Sequence, residues 1–92
     1  MIISFKHKGL ERFYKNGSKL GIQSNHAARL QLILGRLNAS SQPKDMNLPG
    51  LSLHQLSGKS GDIWSVKVNG NWRVTFKMKG AHAEIVDYED YH

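Results

Sequence analysis

The chain is expected to fold as one α+β domain, residues 1–92, with two N-terminal helices packed on an antiparallel β-sheet. Two observations predict this. Ala27, Leu30, Ile33, Leu34 and Leu37 recur at the spacing that gathers side chains on one helical face. From Leu51 onward the pattern changes to short alternating runs parted by glycine-bearing turns, which is how strands read. Ninety-two residues suffice for a single core of two layers and leave no length for a second.

Ile2 to Phe5, apolar and β-branched at its start, reads as an opening strand, and Lys8 to Asn16 as a short helix ended near Gly17. Ser24 is a plausible N-cap for the second helix. Asn38 to Gly50, with Ser40, Ser41, Pro43 and Pro49, is rich in helix breakers and should cross from the helical half to the β half. The strands are then Leu51–His54, Ile63–Val68, Trp72–Met78 and Ala83–Tyr88, an antiparallel meander.

Asn69-Gly70 invites a two-residue hairpin, but that register would mix polar and apolar side chains on each face. A three-residue turn, Asn69-Gly70-Asn71, instead puts Trp64, Val66, Val68, Trp72, Val74, Phe76 and Met78 on one face. Ser65, Lys67, Arg73, Thr75 and Lys77 fall on the other. The helices should cover the first face and leave the second open as a polar, cationic surface.

The net charge of +6 is uneven. Residues 1–44 carry eight Lys/Arg against one acid, 45–79 five against two, and 80–92 four acids alone. A basic body attracts polyanions by counterion release, so nucleic acid leads the partner classes, although solubility alone would select a similar charge. The absence of cysteine excludes disulfide and thiolate chemistry and suits a reducing compartment. Basic residues interrupt the N-terminus before a signal-peptide core forms, and no run approaches the roughly 20 apolar residues of a membrane span. A cytoplasmic protein without membrane partners is expected.

Gly58-Lys59-Ser60 resembles the end of a phosphate-binding loop, but that motif needs a glycine where Leu53 stands, and a helix after it. The histidines at 7, 26, 54, 82 and 92 form no helical pair with an adjoining glutamate, so no metal site is expected. Trp64 and Trp72 read as core.

Three features remain that carry chemistry. If Leu51 and Leu53 point inward along a strand, His54 points to the other face, as a reactive or an ordinary surface histidine. Arg73, in mid-strand, offers a fork of donors to a phosphate, or pairs with Glu84 or Asp87 on the next strand. The end of the chain, Tyr88-Glu89-Asp90-Tyr91-His92, has nothing after it to bury its side chains, so they should stay near the surface. Its two tyrosines, following an apolar strand, are unusual for a purely solvating tail.

These features resemble the HigB branch of the RelE-like toxins of type II toxin-antitoxin systems. The resemblance covers nearly the whole chain. It rests on Ser4-Phe5-Lys6-His7-Lys8-Gly9-Leu10, Leu53-His54-Gln55-Leu56-Ser57-Gly58, Trp64-Ser65-Val66-Lys67-Val68, Asn71-Trp72-Arg73-Val74-Thr75-Phe76 and the terminal Asp87-Tyr88-Glu89-Asp90-Tyr91-His92. It implies the RelE-like microbial RNase fold, no cofactor, cleavage of messenger RNA in the ribosomal A site, and neutralisation by a HigA-like helix-turn-helix antitoxin. Ribosomal 16S RNA would be a further partner, and DNA only an indirect one, through the antitoxin complex. Position by position, it implies His54, Arg73, Asp90, Tyr91 and His92 as catalytic residues. Lys59, Lys67 and Lys77 are the candidate RNA-binding cations. One position departs: Ser57 stands where close relatives carry lysine, and Lys59 follows two residues on.

Cleavage without metal needs a base for the ribose 2′-hydroxyl, cations for the phosphorane and an acid for the departing 5′-oxygen. His54 and His92 are candidates for base and acid, because imidazole titrates near neutrality. Arg73 is the candidate phosphate ligand, Tyr91 a group that stacks on or orients a base, and Asp90 one that orients a histidine. The alternatives are a non-catalytic nucleic-acid-binding module and an inactive antitoxin-binding remnant of the same fold.

Overall fold

The computed structural model describes residues 1–56 and 62–90. Helix α1 spans Lys8–Asn16, the expected boundaries. It starts where the His7 imidazole accepts the Leu10 amide at 2.9 Å, satisfying a donor that a helix start leaves open. It stops at Gly17, whose φ of 79° suits a residue without Cβ and whose N–H donates to the Phe13 carbonyl.

Helix α2 spans Ala27–Ala39 and buries Leu30, Ile33, Leu34 and Leu37, the expected face. Its start differs from expectation. Ser24 opens a 3-10 turn, Ser24–His26, and neither Gln23 nor His26 caps with its side chain. The extra turn carries His26 into the interior, 4% exposed. Between the helices the chain passes over the first turn of α1 so closely that a Cβ on Gly9 would stand 2.6 Å from the Gly21 carbonyl oxygen.

The crossing from α2 holds a second 3-10 turn, Pro43–Met46, whose Asp45 carboxylate accepts the Ser41 and Gln42 amides. Its Met46 is fully buried in the core. Arg29 of α2 donates to the Gly50 carbonyl and so ties the end of the crossing to the helix layer.

Four antiparallel strands follow in the order β1-β2-β3-β4: β1 His54–Gln55, β2 Ile63–Asn69, β3 Trp72–Lys79 and β4 His82–Asp90. The β2–β3 ladder has the register argued from face segregation, with Val66 opposite Val74 and Lys67 opposite Arg73. A bulge at Val68 absorbs the odd residue, and Gly70 takes the left-handed conformation (φ 56°). Val66, Val68, Val74 and Phe76 are buried in one core with the α2 residues Leu30, Ile33, Leu34 and Leu37, while the partly buried Trp64, Trp72 and Met78 pack against the same core.

Three strand expectations need correction. Leu51–His54 contributes only its last residue to β1, because Ser52 adopts a positive φ (51°) that no ladder accommodates. Ile2 to Phe5 makes isolated parallel bridges to Ala83 and Val86 rather than a continuous strand. The partner there is kinked: Ile85 has a φ of 47°, and its N–H goes to the Ser4 hydroxyl. Finally, β4 runs on through Asp90, so Glu89 and Asp90 are strand residues paired with β3.

Candidate active site

Two rows of side chains cross the open face of the sheet. Antiparallel pairing aligns His54, Ser65, Thr75 and Asp87 on successive strands in one row, and Lys67, Arg73 and Glu89 in the next. Side chains directly opposite in neighbouring strands share a face, so both rows project away from the helices. His54 is exposed and its Nδ1 lies 3.4 Å from the Ser65 hydroxyl. That contact holds the ring beside β2.

Arg73 is half-buried, and its guanidinium donates to the carbonyls of Gly70 (3.2 Å) and Trp72 (3.4 Å). Among the described residues it forms no ion pair with a carboxylate, so the alternative of a bridge to Glu84 or Asp87 is not taken. Its neighbour across the ladder is Lys67, also half-buried. Lys77 shares the face on the far side of the His54–Thr75 row, between Ile63 and Glu84.

The face is less uniformly cationic than its β2 and β3 residues suggest, which corrects that expectation. Ser65 (1% exposed) and Thr75 (5%) are buried between larger neighbours. Strand β4 brings Glu84, Asp87 and Glu89 to the same face, and Leu56, Ile63 and Ile85 add apolar groups. Together Lys6, Leu56, Ile63, Thr75, Ile85, Asp87 and Glu89 line a cleft of about 310 Å³. Lys6 stands 4.0 Å from Asp87. Burial and the neighbouring Asp87 carboxylate push the Glu89 carboxyl above its ordinary range, an effect that Lys6 partly offsets.

The terminal residues separate. Asp90 is in register with Trp72, so strand alternation assigns it to the helix-side face rather than to that of Arg73 and His54. Tyr88 does not stay near the surface: it is 4% exposed and stacks on Trp72, with ring centroids 4.5 Å apart. Its hydroxyl is 2.6 Å from His26 Nδ1 and accepts the Gln23 amide at 3.4 Å. His7 meets the Tyr88 ring edge-on, so the helix layer grips β4 two residues before Asp90. Lys59, Tyr91 and His92 lie outside the described residues.

A larger cleft, about 440 Å³, lies between α1 and α2, lined by Phe13, Tyr14, Gly17, Lys19, Gln31, Leu34 and Gly35. It contains no acid or histidine and sits on the helix layer, away from both rows. Among the described residues no group of three His, Cys, Asp or Glu side chains could hold a metal ion.

A family model described as the RelE-like toxin HigB of type II toxin-antitoxin systems matches residues 3–92. The chain belongs to this family. Endoribonuclease HigB of Proteus vulgaris is 36% identical to it over 92 residues, which is 100% of each chain. As a HigB-like toxin, the protein is one half of a toxin-antitoxin pair, so an antitoxin is its expected protein partner. No helix among its described residues is long and apolar enough to cross a membrane.

In this HigB-like fold the sheet brings His54, Lys67, Arg73 and Lys77 to one face, while Asp90 falls in the Trp72 row. Sequence reasoning missed the roles of His26, Asp87 and Glu89. Register could have found the last two: once Thr75 is aligned opposite Asp87, both acids of the i, i+2 pair face the same way as Arg73. His26 had no such signal, since only the additional 3-10 turn sends it inward.

Proposed function

We propose that the protein is a toxin endoribonuclease that cuts messenger RNA in the ribosomal A site, without a metal, and so arrests translation. The observation that carries this reading is the exposed His54 imidazole one row from the opposed cations Lys67 and Arg73 on an open sheet face. The endoribonuclease name of the relative from Proteus vulgaris supports it.

In the proposed reaction one imidazole, of His54 or His92, takes the proton of the ribose 2′-hydroxyl as its oxygen attacks the adjacent phosphorus. Arg73, with Lys67, stabilises the charge that gathers on the phosphoryl oxygens. The bond from phosphorus to the 5′-oxygen breaks, and the second imidazole protonates that oxygen. A 2′,3′-cyclic phosphate and a 5′-hydroxyl result. Tyr91 stacks on or orients a base, Asp90, whose register sets it on the face opposite His54, is left to orient His92, and Lys59 and Lys77 hold flanking phosphates. The basic first 44 residues, mostly outside this face, dock on 16S ribosomal RNA. A HigA-like helix-turn-helix antitoxin neutralises the toxin in the cytoplasm and brings it to DNA only within their complex.

Expressing wild type and His54→Ala and mapping messenger ends on ribosomes tests the reading. Growth arrest with codon-phased cuts from wild type alone is expected. Salt-sensitive RNA binding without any cut would replace it with the non-catalytic module.

A further inference from the structure

Strand β1 is only two residues long, yet it carries His54. Its pairing with β2 ends at His54–Ser65, because Ser52 (φ 51°) turns the chain off the ladder. Further along the same edge of β2, the Lys67 N–H still finds a backbone acceptor, the Leu51 carbonyl at 2.6 Å. The Lys67 carbonyl points to that edge as well, and a longer β1 would offer it a backbone N–H. It takes a side-chain donor instead. Arg29 of α2 reaches it at 3.4 Å with Nη2, and the same nitrogen donates to the Gly50 carbonyl.

The two acceptors differ in what else holds them. Lys67 lies inside β2, paired with Arg73 on β3. Gly50 lies in no ladder and has a left-handed φ of 85°. The guanidinium lies over it, since a Cβ there would meet Nη2 at 3.7 Å and Nη1 at 3.8 Å. With a paired strand on one side and an unpaired segment on the other, the arginine braces the chain where it sets out for His54.

Stability does not account for this brace. Arg29 Nε is buried without a hydrogen-bond partner among the described residues. Buried donors are ordinarily paired, and an orphaned one counts against the folded state. The segment is already attached to the core by the buried Leu51 side chain. An apolar contact is non-directional, whereas a planar guanidinium on two carbonyls fixes how the peptides point.

We propose that Arg29 is a positioning residue for His54: from the helix layer it sets where β1 starts on β2, and so the placement of the imidazole relative to Lys67 and Arg73. The inference rests on the endoribonuclease reading and extends the machinery of that site into α2.

Arg29→Met keeps the aliphatic stem and removes the two bonds together with the orphaned donor. Its urea midpoint should stand at or above that of wild type. On programmed ribosomes its single-turnover cleavage rate should fall by at least about tenfold, since an ångström of misplacement costs about 10²-fold. The toxin concentration giving half the maximal rate should not change. In a His54→Ala background the same substitution should have no further effect, because both act through one imidazole. An unchanged rate in the single variant, or losses that multiply in the double one, overturn the proposal. NMR of the full-length protein needs no cleavage. Arg29→Met should shift or broaden the amide and imidazole resonances of His54 and the amide of Gln55, and leave the amides of Val74 and Phe76 as in wild type. Unmoved His54 and Gln55 resonances overturn the proposal whether or not the protein cuts RNA. No cleavage by wild type would remove the endoribonuclease reading instead, leaving the NMR result to judge the brace.

Discussion

Lys67 and Arg73 stand directly opposite one another across the β2–β3 ladder. Like charges in that position destabilise a sheet, by about the 0.2–1 kcal/mol that an opposite pair contributes. Glu89, on the far side of Arg73, does not relieve the repulsion through an ion pair within 4.0 Å, and the guanidinium turns to backbone carbonyls instead. Among the described residues the pair has no carboxylate ion pair, and an anion bound in use, as proposed for the RNA phosphate, would account for its cost.

Lys67→Thr should therefore stabilise the fold by about 0.2–1 kcal/mol while weakening RNA binding. Urea unfolding measures the first effect. The second should appear as a log–log salt dependence of binding that is shallower by about 0.7, one single-strand phosphate contact. Parallel salt slopes for the two proteins would contradict it.

Tyr88→Phe removes the hydroxyl that joins His26 to Gln23 in the interior. With these groups left unsatisfied, stability should fall by about 1–3 kcal/mol. The urea midpoint should drop with an unchanged slope, because the surface exposed on unfolding is the same.

Glu89 gives a pH signature. Its folded-state pKa is raised, so its contribution to stability is complete below the ordinary glutamate value of 4.5 and is lost as pH rises through the folded value. Glu89→Gln cannot ionise. The variant should gain stability relative to wild type as pH rises above 4.5, and the two should converge below it. Unfolding midpoints measured from acid to neutral pH check this, and a constant difference would refute it.

Two glycines should respond oppositely to alanine. At Gly9 the added Cβ would stand 2.6 to 2.9 Å from three backbone atoms of Gly21, so Gly9→Ala must force the chain off α1. At Gly35, inside α2, nothing lies within 4 Å, and Gly35→Ala should stabilise by about 0.8–1 kcal/mol through helix propensity. Thermal melts of the two variants should bracket wild type.

Elements whose signal is local were legible in the sequence. The α1 boundaries follow from Gly17, and the β2–β3 register follows from the requirement that Val66 and Val74 share a face. What the sequence did not carry were features set by distant partners. Ser52 leaves the ladder where Lys67 N–H reaches the Leu51 carbonyl, and β4 lengthens because β3 continues to pair with it through Asp90. The site was legible in part for the same reason. His54 and Arg73 could be oriented by alternation within their own strands, whereas the acidic side of the face arrives with β4 and becomes visible only once the Thr75–Asp87 register is known. Tyr88 looked like part of a tail until His26 and Trp72 enclosed it.

The most direct test is the chemistry of the cut ends. Ribosomes programmed with a defined messenger and treated with the purified protein in the presence of a chelator should yield upstream fragments ending in 2′,3′-cyclic phosphate and downstream fragments with a 5′-hydroxyl. His54→Ala should slow their formation by about 10²-fold or more. Fragments carrying a 3′-hydroxyl and a 5′-phosphate, or cutting at full rate by His54→Ala, would contradict the account.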